Sequence, residues 1–331
     1  MKPLYLLILL SSACFLNAGE FSSDFKNTHD RVWLGEEYWA NPMEDWLVRD
    51  GRIVCMRNGA NRNVHLLTHG LSAADPKASF AVSVRLGIEE NSKKGSVGFM
   101  VGVIDQETRD PRASLLMGKG LVAGVRTNGK LFIGKDESGE ALPSIKDLTL
   151  RLEAAPSKAK GSHSLHLLAF DGVTGKELIR LSVPMIKSEV LAGNLAIGCN
   201  MDQQSNAKGV GKLSRFWFSD WKVQGGMVEA RPDLAFGPIL YAMHTLSRGT
   251  LNLTAQMPPL GKKESGSVRL DTKDGSGKWK KQAVASIDPL SRTATFRVKE
   301  WDDSQDLSYR VAFEDRKRDG SAKERYFEGV I

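Results

Sequence analysis

Residues Gly118–Gly134 read GKGLVAGVRTNGKLFIG. Two short apolar-rich runs flank Asn128-Gly129. Asn and Gly both tolerate the positive φ that a two-residue type I′ turn needs at its central positions, so Asn-Gly between strand-like runs marks a β-hairpin. Such a turn sets Val125 opposite Phe132 on one face and Arg126 opposite Leu131 on the other. The rest of the chain repeats this grammar of short alternating runs, Gly-rich turns and few helical periods. The expected fold class is all-β.

Working outward, Phe80, Val82, Val84 and Leu86 alternate with Ala81, Ser83 and Arg85, as in a strand with one buried face. Val97–Ile104 is continuously apolar and carries Gly98 and Gly102, which suits a central strand covered on both sides. Further strand runs are Arg52–Met56, Asn63–Thr68, Leu148–Leu152, Leu165–Phe170, Leu178–Val183, Leu195–Cys199 and Phe216–Val223. Lys135–Lys146 reads as a polar loop and Pro184–Leu191 as one short helix. About twelve strands over roughly 200 residues exceed an immunoglobulin-type sandwich and suit a jelly roll of two packed sheets, of the concanavalin or laminin-G-like kind. This first domain covers 19–225, and 226–238 reads as a linker opened by Gly225-Gly226. From 239 to 331 the alternation resumes, through Leu251/Leu253/Ala255, Ala294/Phe296/Val298 and Tyr309/Val311/Phe313. About seven strands in ~100 residues is the size and spacing of a fibronectin III-like β-sandwich. Trp279 and Trp301 are its expected large core residues, and Tyr309 its candidate corner tyrosine.

The 331 residues are 41% hydrophobic and 26% charged, which is ordinary globular composition with room for two cores. Net charge is +7, but basic and acidic residues are interleaved. Even the densest basic run, Asp315–Gly320, is bracketed by acids and reads as a solvated loop, so nucleic acid is not an expected partner. Residues 1–18 carry Lys2, an apolar Leu4–Leu10 stretch and small residues up to Ala18, the pattern of a cleaved signal peptide. The mature chain is therefore expected outside the cytoplasm, in the periplasm or beyond. Anchoring as a lipoprotein at Cys14 is not expected, because Ser11 stands where that cleavage box needs an aliphatic residue. No later stretch is expected to span a membrane. After cleavage Cys55 and Cys199 remain, both on alternating runs. An oxidising compartment permits a disulfide between them; two buried thiols are the alternative.

No catalytic set is legible. His65 and His69 would share a metal on a helix, but four positions along a strand put them ~13 Å apart. Gly118-x-Gly120-x-x-Ala123 matches a loose dinucleotide pattern, yet a hairpin follows instead of the required helix. Glu89-Glu90 face opposite sides of a strand, and no E-x-D-x-E run of the jelly-roll glycosidase kind occurs; the nearest spacing, Glu300-Trp301-Asp302, lies in the second module at a strand end. No metal ligands or cofactor are expected in this chain. The aromatics Trp33, Tyr38, Trp39 and Trp46 are the candidate ligand-binding residues. Exposed rings stack on the apolar faces of sugars; the alternative is that these rings cap the sandwich core.

Several segments carry a resemblance: Phe236-Gly237-Pro238-Ile239-Leu240, Thr245–Gly249, Leu253–Leu260, Ile287–Leu290, Thr293–Phe296 and Tyr309–Val311, with Asn61–Val64 and Gly118–Gly134 in the first domain. Together they resemble the N-terminal region of PhoD-like alkaline phosphatases, exported metallophosphoesterases of planctomycete-type bacteria. The resemblance implies a non-catalytic accessory region whose partner, in cis or in trans, is a metal-dependent phosphatase domain. That domain's ligands come from GDxxY and GNH runs, and neither occurs here; Asn200 and His244 stand outside such motifs. Two other readings remain: a stand-alone carbohydrate-binding protein for a polysaccharide or cell-surface ligand, and a jelly-roll glycoside hydrolase.

Overall fold

The computed structural model describes residues 19–203, 212–302 and 304–331. The expected signal peptide and Cys14 lie outside them. The protein is all-β, built from two sandwiches.

The larger sandwich packs two eight-stranded antiparallel sheets. Sheet I runs Glu177–Lys187, Ser162–Asp171, Leu148–Pro156, Phe80–Glu90, Arg215–Gly225, Arg52–Cys55 and Trp46–Arg49, with Gly19–Ser22 on Arg215–Gly225. Sheet II runs Asp136–Ala141, Lys130–Ile133, Lys119–Arg126, Ser96–Ile104, Gly193–Cys199, Arg62–Leu71 and Val228–Ala230, with Tyr38–Asn41 on Arg62–Leu71. Period-2 alternation sends Val82, Val84, Leu86, Leu150, Leu152 and Phe218 from sheet I into one core. Val64, Leu66, Phe99, Val125, Leu131 and Ile197 meet them from sheet II. Ser96–Ile104 is the central strand its sequence predicts, buried on both faces until Ile104.

Four details differ from the sequence reading. The Gly118–Gly134 hairpin exists, but Val125 pairs with Leu131 and Gly124 with Phe132. The loop has three residues: Gly129 alone takes positive φ, at 86°, and its N–H donates to the Arg126 carbonyl at 2.8 Å. A type I turn closed by a left-handed glycine gives this register. It keeps Val125, Leu131 and Ile133 together on the core face, whereas a two-residue loop would turn Leu131 away from the core. Secondly, Asp136–Ala141, inside the expected polar loop, forms an irregular edge strand. Thirdly, the expected helix begins only at Ser188, since Pro184–Lys187 still belongs to a strand. Finally, Val228–Ala230, inside the expected linker, adds to the edge of sheet II.

The second sandwich has a three-stranded sheet, Tyr241–Ser247, Thr250–Gln256 and Thr293–Lys299. It packs on a four-stranded sheet of Trp279–Ser286, Ser267–Lys273, Ser308–Arg316 and Ala322–Val330. Seven strands split three and four make the fibronectin III-like sandwich. Its core is Leu251, Leu253, Phe296, Tyr309, Val311 and Phe313, with Trp301 packed at its margin. Trp279 is not in that core. It starts its strand on the outer face, 4.6 Å from the Arg310 guanidinium and 5.2 Å from Lys273 Nζ, where an aromatic face attracts cations.

The two sandwiches are joined by polar contacts. Arg31 and Glu264 form a buried ion pair, their side chains 4% and 1% exposed. Arg31 Nε also donates to the Trp33 carbonyl at 2.7 Å, and its guanidinium lies 4.4 Å from the Trp33 ring. Asn27 and Asp319 exchange hydrogen bonds of 2.8 and 3.0 Å, and Arg325 pairs with Glu36 at 2.7 Å. Trp33 lies against Gly237, where a Cβ would come within 2.8 Å of the indole, so this position requires glycine.

Candidate functional site

Alternation decides which of the four candidate aromatics can reach a ligand. Along Tyr38–Asn41, Tyr38 and Ala40 turn inward while Trp39 and Asn41 turn outward. Tyr38 is buried against Phe21, Phe25 and Trp221 in the core, and burial pushes its phenol well above its ordinary pKa. Trp46 is 1% exposed and Trp33 is 5% exposed, sealed under the module joint. These three rings offer no face to a ligand. Trp39 is the exception.

Trp39 lines a groove of about 430 Å3 together with Leu67, Leu115, Leu116, Leu234, Phe236, Arg112, Asn194 and Asp233. Phe236 meets its ring edge-on, with centroids 5.8 Å apart and planes at 64°. Trp39 Nε1 donates to Asn41 Oδ1 at 3.0 Å. Asn41 Nδ2 in turn donates to the Leu115 carbonyl at 2.5 Å and to Asn63 Oδ1 at 3.2 Å. The indole is thus held in orientation by an amide that also ties down the opposite wall. That wall is the short helix Pro111–Met117. Asp110 caps it, its side chain accepting from the Arg112 N–H at 2.7 Å, and Pro111 fills the first turn, where no N–H is needed. Leu116 and Met117 on this helix stay 68% and 72% exposed.

Beside Trp39 in sheet register lies His65, 2% exposed, with Nδ1 lacking any hydrogen-bond partner. Burial pulls its pKa down to about 4, so it is neutral at pH 7. Among the described residues lining the groove, Asp233 is the one carboxylate. The groove therefore offers stacking and hydrogen bonding, and lacks the carboxylate pair that glycoside hydrolysis uses. Elsewhere, Glu89 pairs with Arg49 and Glu90 with Arg215. No group of three or more His, Cys, Asp or Glu suited to a metal occurs among the described residues.

Cys55, on sheet I, and Cys199, on sheet II, are both buried and unbonded, with their thiols in hydrogen-bond contact. The Cys55 thiol also donates to the Arg57 carbonyl at 3.4 Å. Burial raises the Cys199 thiol well above its ordinary pKa.

The sequence reading missed the groove's other walls. Asp233, Leu234 and Phe236 fall in the expected linker. Arg112, Leu115 and Leu116 had no element assigned, although Asp110-Pro111 is itself a helix-start signal.

No protein-family model and no curated protein matches the sequence. Solved structures with some similarity include a basic winged bean lectin with Tn-antigen, at 12% identity and TM-score 0.40 over 62% of this chain and 98% of that one. Another is an alginate lyase from Alteromonas sp. 272, at 8% identity and TM-score 0.30 over 53% of this chain and 81% of that one. A bifunctional GH43-CE protein from Bacteroides eggerthii follows at 11% identity and TM-score 0.38, over 71% and 31%. At these scores the likenesses carry no argument, and the fold stands on its strand topology. Among the described residues no helix is long and apolar enough to cross a membrane.

Proposed function

We propose that this chain is an exported carbohydrate-binding protein that holds a sugar of a glycan chain in the Trp39 groove. The observation that carries the reading is the half-buried Trp39 ring, fixed by Asn41 and flanked by Phe236, with Arg112, Asn194 and Asp233 beside it. An apolar face meets the C–H face of a pyranose, and a few polar groups at the rim select its hydroxyls. Binding of the wild-type chain to a glycan array, followed by titration of the best oligosaccharide, tests it. Trp39→Ala is expected to weaken that binding by about tenfold or more, since a central aromatic anchor is worth on the order of 2 kcal/mol. An array without signal, or equal affinity in Trp39→Ala, would contradict the reading.

A second reading, an accessory region of a PhoD-like phosphatase, rests on the sequence motifs. Two of these, Phe236-Gly237-Pro238 and Met257–Leu260, lie at the module joint, with Gly237 under Trp33 and the Pro259 carbonyl accepting from the Trp33 N–H. They are motifs of a rigid frame, which suits a region that carries and orients another domain. Phosphatase activity co-purifying with the native gene product, absent from the 331-residue chain, would favour it.

A further inference from the structure

A second recess, of about 910 Å3, lies between the two modules. Its walls come from His29–Val32 and Asp50 of the large sandwich, and from Pro258–Gly266, Ile287–Pro289, Arg292 and Arg318 of the second. Five Lys and Arg side chains and four carboxylates line it. Their pairing is uneven. Arg31 is taken by Glu264, and Arg318 by Asp30. The Asp288 carboxylate is engaged by its own turn, accepting from the N–H groups of Leu290 at 3.0 Å and Ser291 at 2.7 Å and from the Ser291 hydroxyl at 3.0 Å. That leaves Lys262, Lys263 and Arg292 without an ion-pair partner among the described residues, against two carboxylates outside ion pairs, Asp50 and the Asp288 held in its own turn.

The two lysines stand on a loop that is fixed at both ends. Glu264 is buried in its ion pair and also accepts from the Gly261 N–H, while the Pro259 carbonyl accepts from the Trp33 N–H. Two adjacent, exposed lysines thus stand on a braced loop in the wall of the recess. Module boundaries are preferred places for ligand sites, and an excess of unpaired cations along a concave wall favours a counter-ion there.

We infer that this cleft binds an anionic group, a carboxylate or sulfate carried on a saccharide, with Lys262, Lys263 and Arg292 as its counter-charges. The anion site stands on the cleft alone; the saccharide carrier rests on the function proposed above. The site is separate from the Trp39 groove, so a glycan chain with charged and neutral residues would meet two different surfaces.

The test titrates the full chain with a polyuronate, a sulfated oligosaccharide, a neutral oligosaccharide and inorganic sulfate. Three variants are compared: Lys262→Glu/Lys263→Glu, Lys158→Glu/Lys160→Glu on an exposed loop of the large sandwich, and Trp39→Ala. All four lysines are exposed, so the fold should hold, and thermal melts check this. The expected result is anionic binding that weakens as salt rises from about 50 to 200 mM. It should fall at least tenfold in Lys262→Glu/Lys263→Glu and stay within about twofold in Lys158→Glu/Lys160→Glu. Equal losses in both lysine pairs would mean general charge attraction and overturn the inference, as would no binding of either anionic saccharide. Inorganic sulfate competing as well as the saccharides would replace the saccharide carrier with a free anion. Neutral binding that depends on Trp39 while the cleft variant has no effect would sink this site and leave the groove standing.

Discussion

The two recesses of this protein are built in opposite ways. The Trp39 groove is apolar, and one outward turn of a four-residue strand creates it: Tyr38 goes to the core and Trp39 to the surface. The inter-module cleft is charged, and its floor is a buried ion pair, Arg31–Glu264. Stacked rings tolerate many partners of similar shape, whereas a buried ion pair punishes the loss of either member. The comparison predicts that losing the floor of the cleft shows in stability, whereas losing the ring of the groove shows in binding.

The largest effect should come from the cleft floor. Glu264→Ala leaves Arg31 charged and buried, which costs on the order of 3–5 kcal/mol, and the double variant Arg31→Met/Glu264→Leu should recover most of that loss. Urea unfolding measures both. If the single variant costs less than about 1 kcal/mol, the pair is not the keystone of the joint. Trp46→Ala sharpens the other side of the comparison. Trp46 is fully buried in the large core, so its truncation should cost about 3–5 kcal/mol.

Next comes the pH dependence of the layer beside Trp39. The folded-state pKa of His65 lies at about 4 against an ordinary value of 6.5. The unfolded chain therefore takes up the proton first on acidification. This stability is fully present above about pH 6.5 and is lost as pH falls through 4, a total of about 3 kcal/mol. His65→Gln should flatten that part of the stability–pH curve; an unchanged slope would mean that His65 is not the group responsible. The smallest stability effect belongs to Trp39→Ala, expected under about 1.5 kcal/mol because the ring is half-buried at the surface and not in the core. A loss as large as that of Trp46→Ala would place Trp39 in the core and remove the groove.

Much of the architecture was legible in the sequence. Alternation at Phe80–Leu86, Leu148–Leu152 and Leu251–Ala255 placed strands and their buried faces, because a strand with one buried face has a fixed period of two. Register was less legible. Asn128-Gly129 fits a two-residue turn and equally a three-residue loop with glycine left-handed, and only the tertiary demand to bury Leu131 chooses between them. Trp279 was misplaced for a related reason: size alone does not say which face of a sheet a side chain occupies. Of the site, Trp39 was named in the sequence reading, among three core rings that look the same by composition. Asp233, Leu234 and Phe236 reach the groove from a connection that is distant in sequence, brought there by the pairing of Val228–Ala230 with Arg62–Leu71 and by the Phe236 N–H donating to the Glu36 carbonyl. The Cys55–Cys199 pair shows the same limit. Its two members stand on different sheets, and the closure of the sandwich is what puts them in contact.

The central claim is that Trp39, alone of the four candidate aromatics, meets a ligand. Isothermal titration of the best glycan from the array into the wild-type chain and into Trp39→Ala tests it most directly. The account predicts saturable binding in the wild type and a loss of about tenfold or more in Trp39→Ala, with the melting temperature of that variant nearly unchanged. Equal affinity in the two proteins would contradict it.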